Sequence, residues 1–240
     1  VFSPSITAFW QTPFDNGEII QGADGLSITI NPELAHDRRV TVLDDLDGRV
    51  RVALTPALAE RIGLRAETTW SAESFREALA GAGITLHDAD FIFYFDRDAK
   101  DRLLGEADAD GVRMLGERDA DAFAAFEAAN TEQDLDDAYV ELDHWAVIGA
   151  HQDGKLVSAT SAYPWGESLL ADLGVLTLPA ARGKGHARNV VRAIARHVYS
   201  RGYEPQYRCQ LDNETSRALA DKAGLSLFGT WEVVSAETED

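Results

Sequence analysis

The stretch Leu173–Ala187, LGVLTLPAARGKGHA, decides how the rest of the chain is read. Leu173–Thr177 has the apolar, β-branched composition of a strand. After Pro179 comes Arg182-Gly183-Lys184-Gly185-His186-Ala187, and then a helical pattern. Val190, Val191, Ile194, Ala195 and Val198 recur on one face, while Arg188, Arg192, Arg196 and Arg201 project elsewhere. A strand, a glycine-rich turn and a helix N-terminus together make an anion-binding device. The first-turn N–H groups have no intrahelical acceptor, and the helix dipole places partial positive charge on them. Gly183 and Gly185 remove side chains that would obstruct approach to the backbone, and Arg182 and Lys184 add full charges.

Two familiar phosphate motifs do not fit. The P-loop pattern G-x-x-x-x-G-K-[ST] fails because Leu178 occupies its first glycine position and Gly185 follows Lys184. The dinucleotide pattern G-x-G-x-x-G/A fails because Arg188 stands at its third glycine position. Charge nevertheless favours an anion site. The chain carries 41 acids against 22 bases, net −19, whereas Leu173–Cys209 holds seven basic residues against Glu204 alone. So acidic a body repels nucleic acid and anionic lipid, which excludes both as expected partners. At 45% apolar and 26% charged residues the composition is globular. No apolar run approaches the roughly 18 residues of a membrane span, and none follows a basic N-terminal flank. The single Cys209 rules out an internal disulfide and fits a reducing, cytoplasmic setting. The start at Val1 fits a trimmed initiator Met or tag. The six histidines show no metal-ligand spacing, so no metal is expected.

Working outward from the loop, Trp145–Ala150 and Leu156–Ala162 flank an Asp153-Gly154 hairpin signal. Val112–Leu115 reads as a strand, and Asp119–Ala129 as a helix with Phe123 and Phe126 inward. Thr131 caps a short acidic helix. Downstream, Gln206–Leu211 alternates as a strand, Asn213 caps a helix ending at Gly224, and Leu225–Val234 is a last strand. In the first hundred residues Gly25–Ile30, Arg39–Leu43 and Gly48–Leu54 read as strands. Thr55-Pro56 opens one helix, Ser71 caps another over Ala72–Ala82, and Phe91–Phe95 reads as a strand buried on both faces. The polar Glu106–Gly111 is the expected linker, which divides the chain into an N-terminal domain at 1–108 and a second domain at 109–240.

Arg182–Ala187 matches R-x-x-G-x-G/A, with Pro179 three residues ahead and a second signature, Asn213-x-x-Ser216-x-x-Leu219-x-x-Lys222-x-Gly224-Leu225, behind. This resembles the acetyl-CoA signature of the GNAT superfamily of N-acetyltransferases, in particular its two-part bacterial members with an extra N-terminal domain. The resemblance implies an α+β fold: a mixed, mostly antiparallel sheet flanked by helices, behind a smaller mixed α/β domain. It implies acetyl-CoA as cosubstrate, bound by Leu176 and Thr177 at the strand end, by Arg182, Gly183, Lys184, Gly185, His186 and Ala187 in the loop, and by Asn213 and Ser216 along the pantetheine arm. The expected acceptor is a small-molecule amine, attacking directly in a ternary complex, and a homodimer is compatible with this reading.

The family's usual catalytic Tyr position is Ala220 here, which leaves Tyr207 or a water as the expected acid. Asp172 is the first expected base, with Glu141, Asp143 and His144 as substitutes. Ala220 also keeps open a non-catalytic acyl-CoA-binding or sensor protein, and the extra domain keeps open a protein acetyltransferase that holds its partner there. Glu127, Glu132, Asp134, Asp136 and Asp137 are either a cation-attracting acceptor border, with Tyr163 and Trp165 as an aromatic wall, or a solvated helix face.

Overall fold

The computed structural model describes residues 1–23, 25–65, 68–236 and 238. In chain order its elements begin with α1 (Pro4–Asp15), β1 (Glu18–Ala23), β2 (Leu26–Ile30), β3 (Val40–Asp45), β4 (Val50–Leu54), α2 (Pro56–Arg61) and α3 (Ala72–Gly81). They continue with β5 (Asp90–Tyr94), α4 (Arg97–Leu104), β6 (Val112–Met114), α5 (Ala120–Glu127), α6 (Glu132–Ala138), β7 (Ala146–Gln152) and β8 (Lys155–Pro164). The last are β9 (Leu170–Thr177), α7 (His186–Ser200), β10 (Glu204–Gln210), α8 (Glu214–Ala223) and β11 (Ser226–Val233). Three of these, α1, β1 and α4, have no counterpart in the sequence expectations. The first carries Pro13 in its interior together with β-branched and aromatic residues, a composition that reads poorly as helix. Burial of Ile6, Trp10 and Phe14 accompanies it instead.

The chain forms two compact units that interleave along the sequence. The N-terminal unit comprises Thr7–Ile92, Cys209–Asp212 and the chain from Leu227 onward; the C-terminal unit comprises Val1–Ile6, Phe93–Arg208 and Asn213–Ser226. The expected division at 108/109 therefore runs through the C-terminal unit. The physical reason lies in the contacts of 93–108. Glu106 and Asp108 accept from Arg192 and Arg196 of α7, Lys100 Nζ binds Glu204 Oε1 at 3.0 Å, and the Tyr94 hydroxyl donates to Gln206. The expected linker Glu106–Gly111 is thus tied to α7 by ion pairs, and Arg192 holds the Glu106 carboxyl below its usual pKa.

In the N-terminal unit the strand order is β1-β2-β4-β3-β11. Only the β2/β4 pair is parallel. The C-terminal strand joins here because β11 pairs with β3 in the register Trp231↔Leu43, and Trp231 Nε1 donates to Thr41 Oγ1 at 2.7 Å. Ile28, Val40, Val42, Val52 and Leu54 bury one sheet face against Leu58 of α2 and Phe75 and Leu79 of α3. Each such side chain contributes about 1.5–3 kcal/mol of transfer free energy. Ser71 caps α3 as expected, in a capping box with Ser74.

In the C-terminal unit the order is β5-β10-β9-β8-β7-β6, antiparallel from β9 to β6 and parallel between β10 and β9. Asp153 and Gly154 turn the β7/β8 hairpin with φ of 52° and 75°, the paired positive φ that an Asp-Gly two-residue turn supplies. Every residue of β8 from Leu156 to Ala162 is buried, which requires cover on both faces. Phe123 and Phe126 of α5, with Leu135 of α6, pack on Val147, Ala159 and Leu176. The other face falls to α7, whose Val190, Val191, Ala193, Ile194, Ala195 and Val198 are all buried.

Asp119, buried ahead of α5, accepts from Arg113 Nη2 at 2.6 Å and from the Gly116 N–H at 3.0 Å. The Arg113 bond above all holds its carboxyl down at about 2. A depressed folded-state pKa contributes stability that is present above the unfolded value and lost as pH falls through the folded one. Asp119→Asn should therefore lower the melting temperature at pH 7. That deficit should shrink as the pH is taken from about 4 toward 2 in parallel thermal melts.

Candidate functional site

The register between β9 and β10 runs Glu204↔Leu170, Pro205↔Ala171, Gln206↔Asp172 and Tyr207↔Leu173, and stops there. Yet β9 continues to Thr177 and β10 to Gln210. Beyond Leu173 the two strands no longer pair, which leaves a gap open along that edge of β9. Backbone parity decides which residues face it. Leu178 N–H donates to Val157 of β8, and Trp165 N–H to the Leu170 carbonyl, so even-numbered positions of β9 turn their backbone groups toward β8. Odd-numbered positions turn theirs the other way, as the Glu204 N–H bond to the Leu169 carbonyl shows. Val175 and Thr177 therefore present their backbone to the gap. Leu176, an expected contact, instead directs its backbone to β8, its carbonyl accepts Ser158 Oγ at 3.1 Å, and its side chain lies in the α5 core. Val175 was absent from the expected set; alternation along the strand, counted from its last β8 bond, is the signal that locates it.

The gap leads into the loop. Gly183 and Gly185 take φ of 77° and 85°, left-handed values that favour glycine, and a Cβ on either would meet nothing within 4 Å. Gly185 stands at the N-cap of α7 with no side chain capping it. An open, uncapped helix N-terminus between two glycines fits a phosphate, so the residues present suit the polyphosphate end of a coenzyme. The basic stretch supplies less free charge than its sequence suggests. Arg182 pairs with Asp134 at 3.2 Å, Arg192 and Arg196 with Glu106 and Asp108, and Arg208 with Asp172 at 2.8 Å. Arg182 Nε also donates to the Thr177 carbonyl at 3.2 Å, which braces the loop against the strand end. Arg188 Nε donates to the Lys222 carbonyl, His186 Nε2 lies 3.2 Å from Gln152 Oε1, and among the described residues Lys184 has no ion pair. Asn213 caps α8, its Oδ1 accepting from the Ser216 backbone N–H at 3.0 Å.

The expected catalytic residues do not converge. Asp172 is buried, and its two oxygens accept four bonds: from Gln206 Nε2 (3.0 Å), Arg208 Nε (3.2 Å), the Tyr163 hydroxyl (3.1 Å) and Arg208 Nη2 (2.8 Å). That fills the acceptor capacity of a carboxylate and leaves none for an amine proton. Tyr207 alternates with Gln206 and Arg208, so it lies on the opposite sheet face from Asp172, buried with its ring edge-on to Phe93. The two cannot flank one reacting centre. Ala220 is fully buried in α8.

The Asp172 face instead carries a polar and aromatic cluster. Tyr163 packs at 4.9 Å from His144 and 5.4 Å from Tyr139, and Arg208 stacks over Trp165 at 4.5 Å. Burial, then the neighbouring Asp172 charge, pushes the Tyr163 phenol up, so it stays a donor. Tyr139 ends α6 in a left-handed conformation, φ 45°, and its carbonyl and that of Ala138 crowd Gly174. Of the acids considered as an acceptor border, Glu132, Asp136 and Asp137 are exposed, Glu127 is half-buried, and Asp134 is held by Arg182. Among the described residues no group of three or more His, Cys, Asp or Glu is placed to hold a metal ion. Nor is any helix long and apolar enough to cross a membrane.

Comparison with known proteins matches residues 115–225 to the acetyltransferase (GNAT) family. A GNAT-family acetyltransferase structure from Colwellia psychrerythraea aligns over 98% of this chain and 97% of its own, at 19% identity and a TM-score of 0.53. A GNAT-family structure from Novosphingobium aromaticivorans aligns over 63% of this chain and 66% of its own, at 21% identity and a TM-score of 0.50. At such identities the two show the fold. No curated protein matches the chain.

Gly174 provides a direct test of how α6 is seated on β9. A Cβ there would lie 2.2 Å from the Ala138 carbonyl oxygen, so backbone must move. Gly174→Ala should cost about 1–3 kcal/mol. Urea unfolding would show this as a lower midpoint with an unchanged m-value.

Proposed function

Residues 115–225 belong to the acetyltransferase (GNAT) family, a family of acyl-CoA-dependent acyltransferases, and from that premise we propose that this chain transfers an acetyl group from acetyl-CoA to the amine of a small molecule. The observation that carries this reading is the end of β9/β10 pairing at Leu173↔Tyr207, directly ahead of the Gly183–Gly185 turn. A pantetheine arm is extended and bears amides, so it can take the place of the missing strand beside Val175 and Thr177. Its pyrophosphate then meets the α7 N-terminus, where Gly183, Gly185 and the following N–H groups bind it and Lys184 adds charge.

The chain's own residues divide the remaining work. Backbone donors at the gap orient the thioester and favour the oxyanion that develops during attack. Arg182 keeps the strand end and loop in fixed relation through the Thr177 carbonyl. Asp172 acts as a positioning residue that holds Tyr163, Gln206 and Arg208 in one network. With Ala220 at the usual acid position, the thiolate leaves without a side-chain acid and is protonated through solvent. General acid assistance typically contributes about 10²–10⁴-fold, so its absence slows the reaction without forbidding it. The Tyr163, Tyr139 and Trp165 rings beside the network supply faces that attract an ammonium group.

Titration calorimetry with acetyl-CoA, alongside thiol release across a set of amines, tests the proposal. Lys184→Glu should weaken acetyl-CoA binding at least tenfold without altering the melt, because the side chain is exposed and unpaired. Unchanged affinity would remove the loop assignment. Binding without thiol release on any amine would favour a non-catalytic acyl-CoA sensor.

A further inference from the structure

We propose that His144 is the group that takes the proton from the incoming amine, an assignment that rests on the acetyl-transfer reading above. An amine is an ammonium ion at neutral pH and cannot attack until it loses a proton. Asp172, the obvious acceptor from sequence, has all its lone pairs engaged. His144 lies on the same sheet face, attached through Ser161, whose register partner Gly174 adjoins Val175 at the gap.

Its ring is fixed on every side. His144 Nδ1 lies 2.8 Å from Ser161 Oγ, and Ser161, fully buried, donates onward to the Tyr139 carbonyl at 3.5 Å. Where the serine proton is directed at that carbonyl, Nδ1 is the nitrogen that donates to Ser161, and in that tautomer Nε2 has a lone pair to offer. Nε2 faces Glu141 Oε2 at 3.5 Å; the imidazole is 10% exposed and the carboxylate 50%, so a solute reaches Nε2 by displacing the mobile end of the Glu141 side chain. Tyr139 packs edge-on and Tyr163 tilted against the ring, each with its centroid 4.9 Å away. The groups facing it are therefore Glu141 from the loop after α6, Tyr139 from the end of α6, and Ser161 and Tyr163 from β8, with Asp172 and Arg208 one bond further through the Tyr163 hydroxyl. The left-handed Tyr139 is consistent with a site that pays for exact ring placement, since a bulky residue at positive φ is strained.

The arrangement suits proton transfer. An imidazole that meets the ammonium at Nε2 takes its proton, and the Glu141 carboxylate stabilises the imidazolium that results. The freed amine lone pair forms the new N–C bond at the acetyl carbonyl carbon while the C–S bond breaks and its electron pair leaves with sulfur. The second amine proton passes through solvent to that sulfur, and His144 returns the first to water. The two tyrosine faces hold the ammonium beside Nε2 before transfer.

Two nucleophiles distinguish this role from a structural one. Phenethylamine is an ammonium ion at neutral pH and needs a base, whereas hydroxylamine is already unprotonated and does not. His144→Gln should lower kcat/KM for phenethylamine by about 10²-fold at neutral pH, with the residual rate following the fraction of free amine as pH rises, and leave hydroxylamine rates within about threefold of the parent. Glu141→Gln, an exposed change that spares the fold, should lower kcat/KM for phenethylamine and leave hydroxylamine within about threefold, because it removes the charge that favours the imidazolium. Equal losses with both nucleophiles, or no loss with phenethylamine, in either variant would overturn the assignment. A parent enzyme that acetylates neither, while still binding acetyl-CoA, would instead overturn the acetyl-transfer reading on which it rests.

Discussion

Past Leu173, β9 has backbone groups on one edge and no strand to meet them. A buried or half-buried strand cannot leave such groups unanswered, because each unpaired donor or acceptor forfeits a hydrogen bond that water would otherwise make. The neighbouring elements follow from this constraint. Arg182 reaches back to the Thr177 carbonyl, and the turn at Gly183 and Gly185 starts α7 close behind the strand end. On the function proposed above, an extended molecule with amides along its length and phosphates at one end would satisfy both the edge and the helix terminus.

The same strand separates the roles of the residues around it. Odd positions give their backbone to the gap, while even positions give their side chains to the α5/α6 face. Asp172, Gly174 and Leu176 thus build the floor on which Tyr139, His144 and Tyr163 sit, and Val175 and Thr177 line the opening. Tyr207 illustrates the rule from β10: one position away from Gln206 and Arg208, it belongs to the other face and to Phe93.

The loop, the hairpin, the caps of α3, α6 and α8 and the apolar stripe of α7 were legible in the sequence, since each depends on residues within about a dozen positions of one another. The excess of basic residues between Leu173 and Cys209 was legible as composition but not as available charge. Glu106, Asp108 and Asp134 come from far along the chain to pair with it, Asp172 meets Arg208 only through β9/β10 pairing, and no local pattern predicts those partners. Asp172 likewise reads as a free carboxylate at a strand start until Gln206 and Arg208 arrive from β10.

The sequence alone therefore determined the glycine turn, the elements around it and the acetyltransferase family that 115–225 matches, because such a turn depends on adjacent residues: glycines that accept positive φ and a helix that starts directly behind them. Only the tertiary structure decided which residues face the gap, which carboxylates are already spent and where β11 pairs. Those outcomes depend on strand parity, register and long-range ion pairs, which bring together side chains that the chain keeps 30 to nearly 200 positions apart.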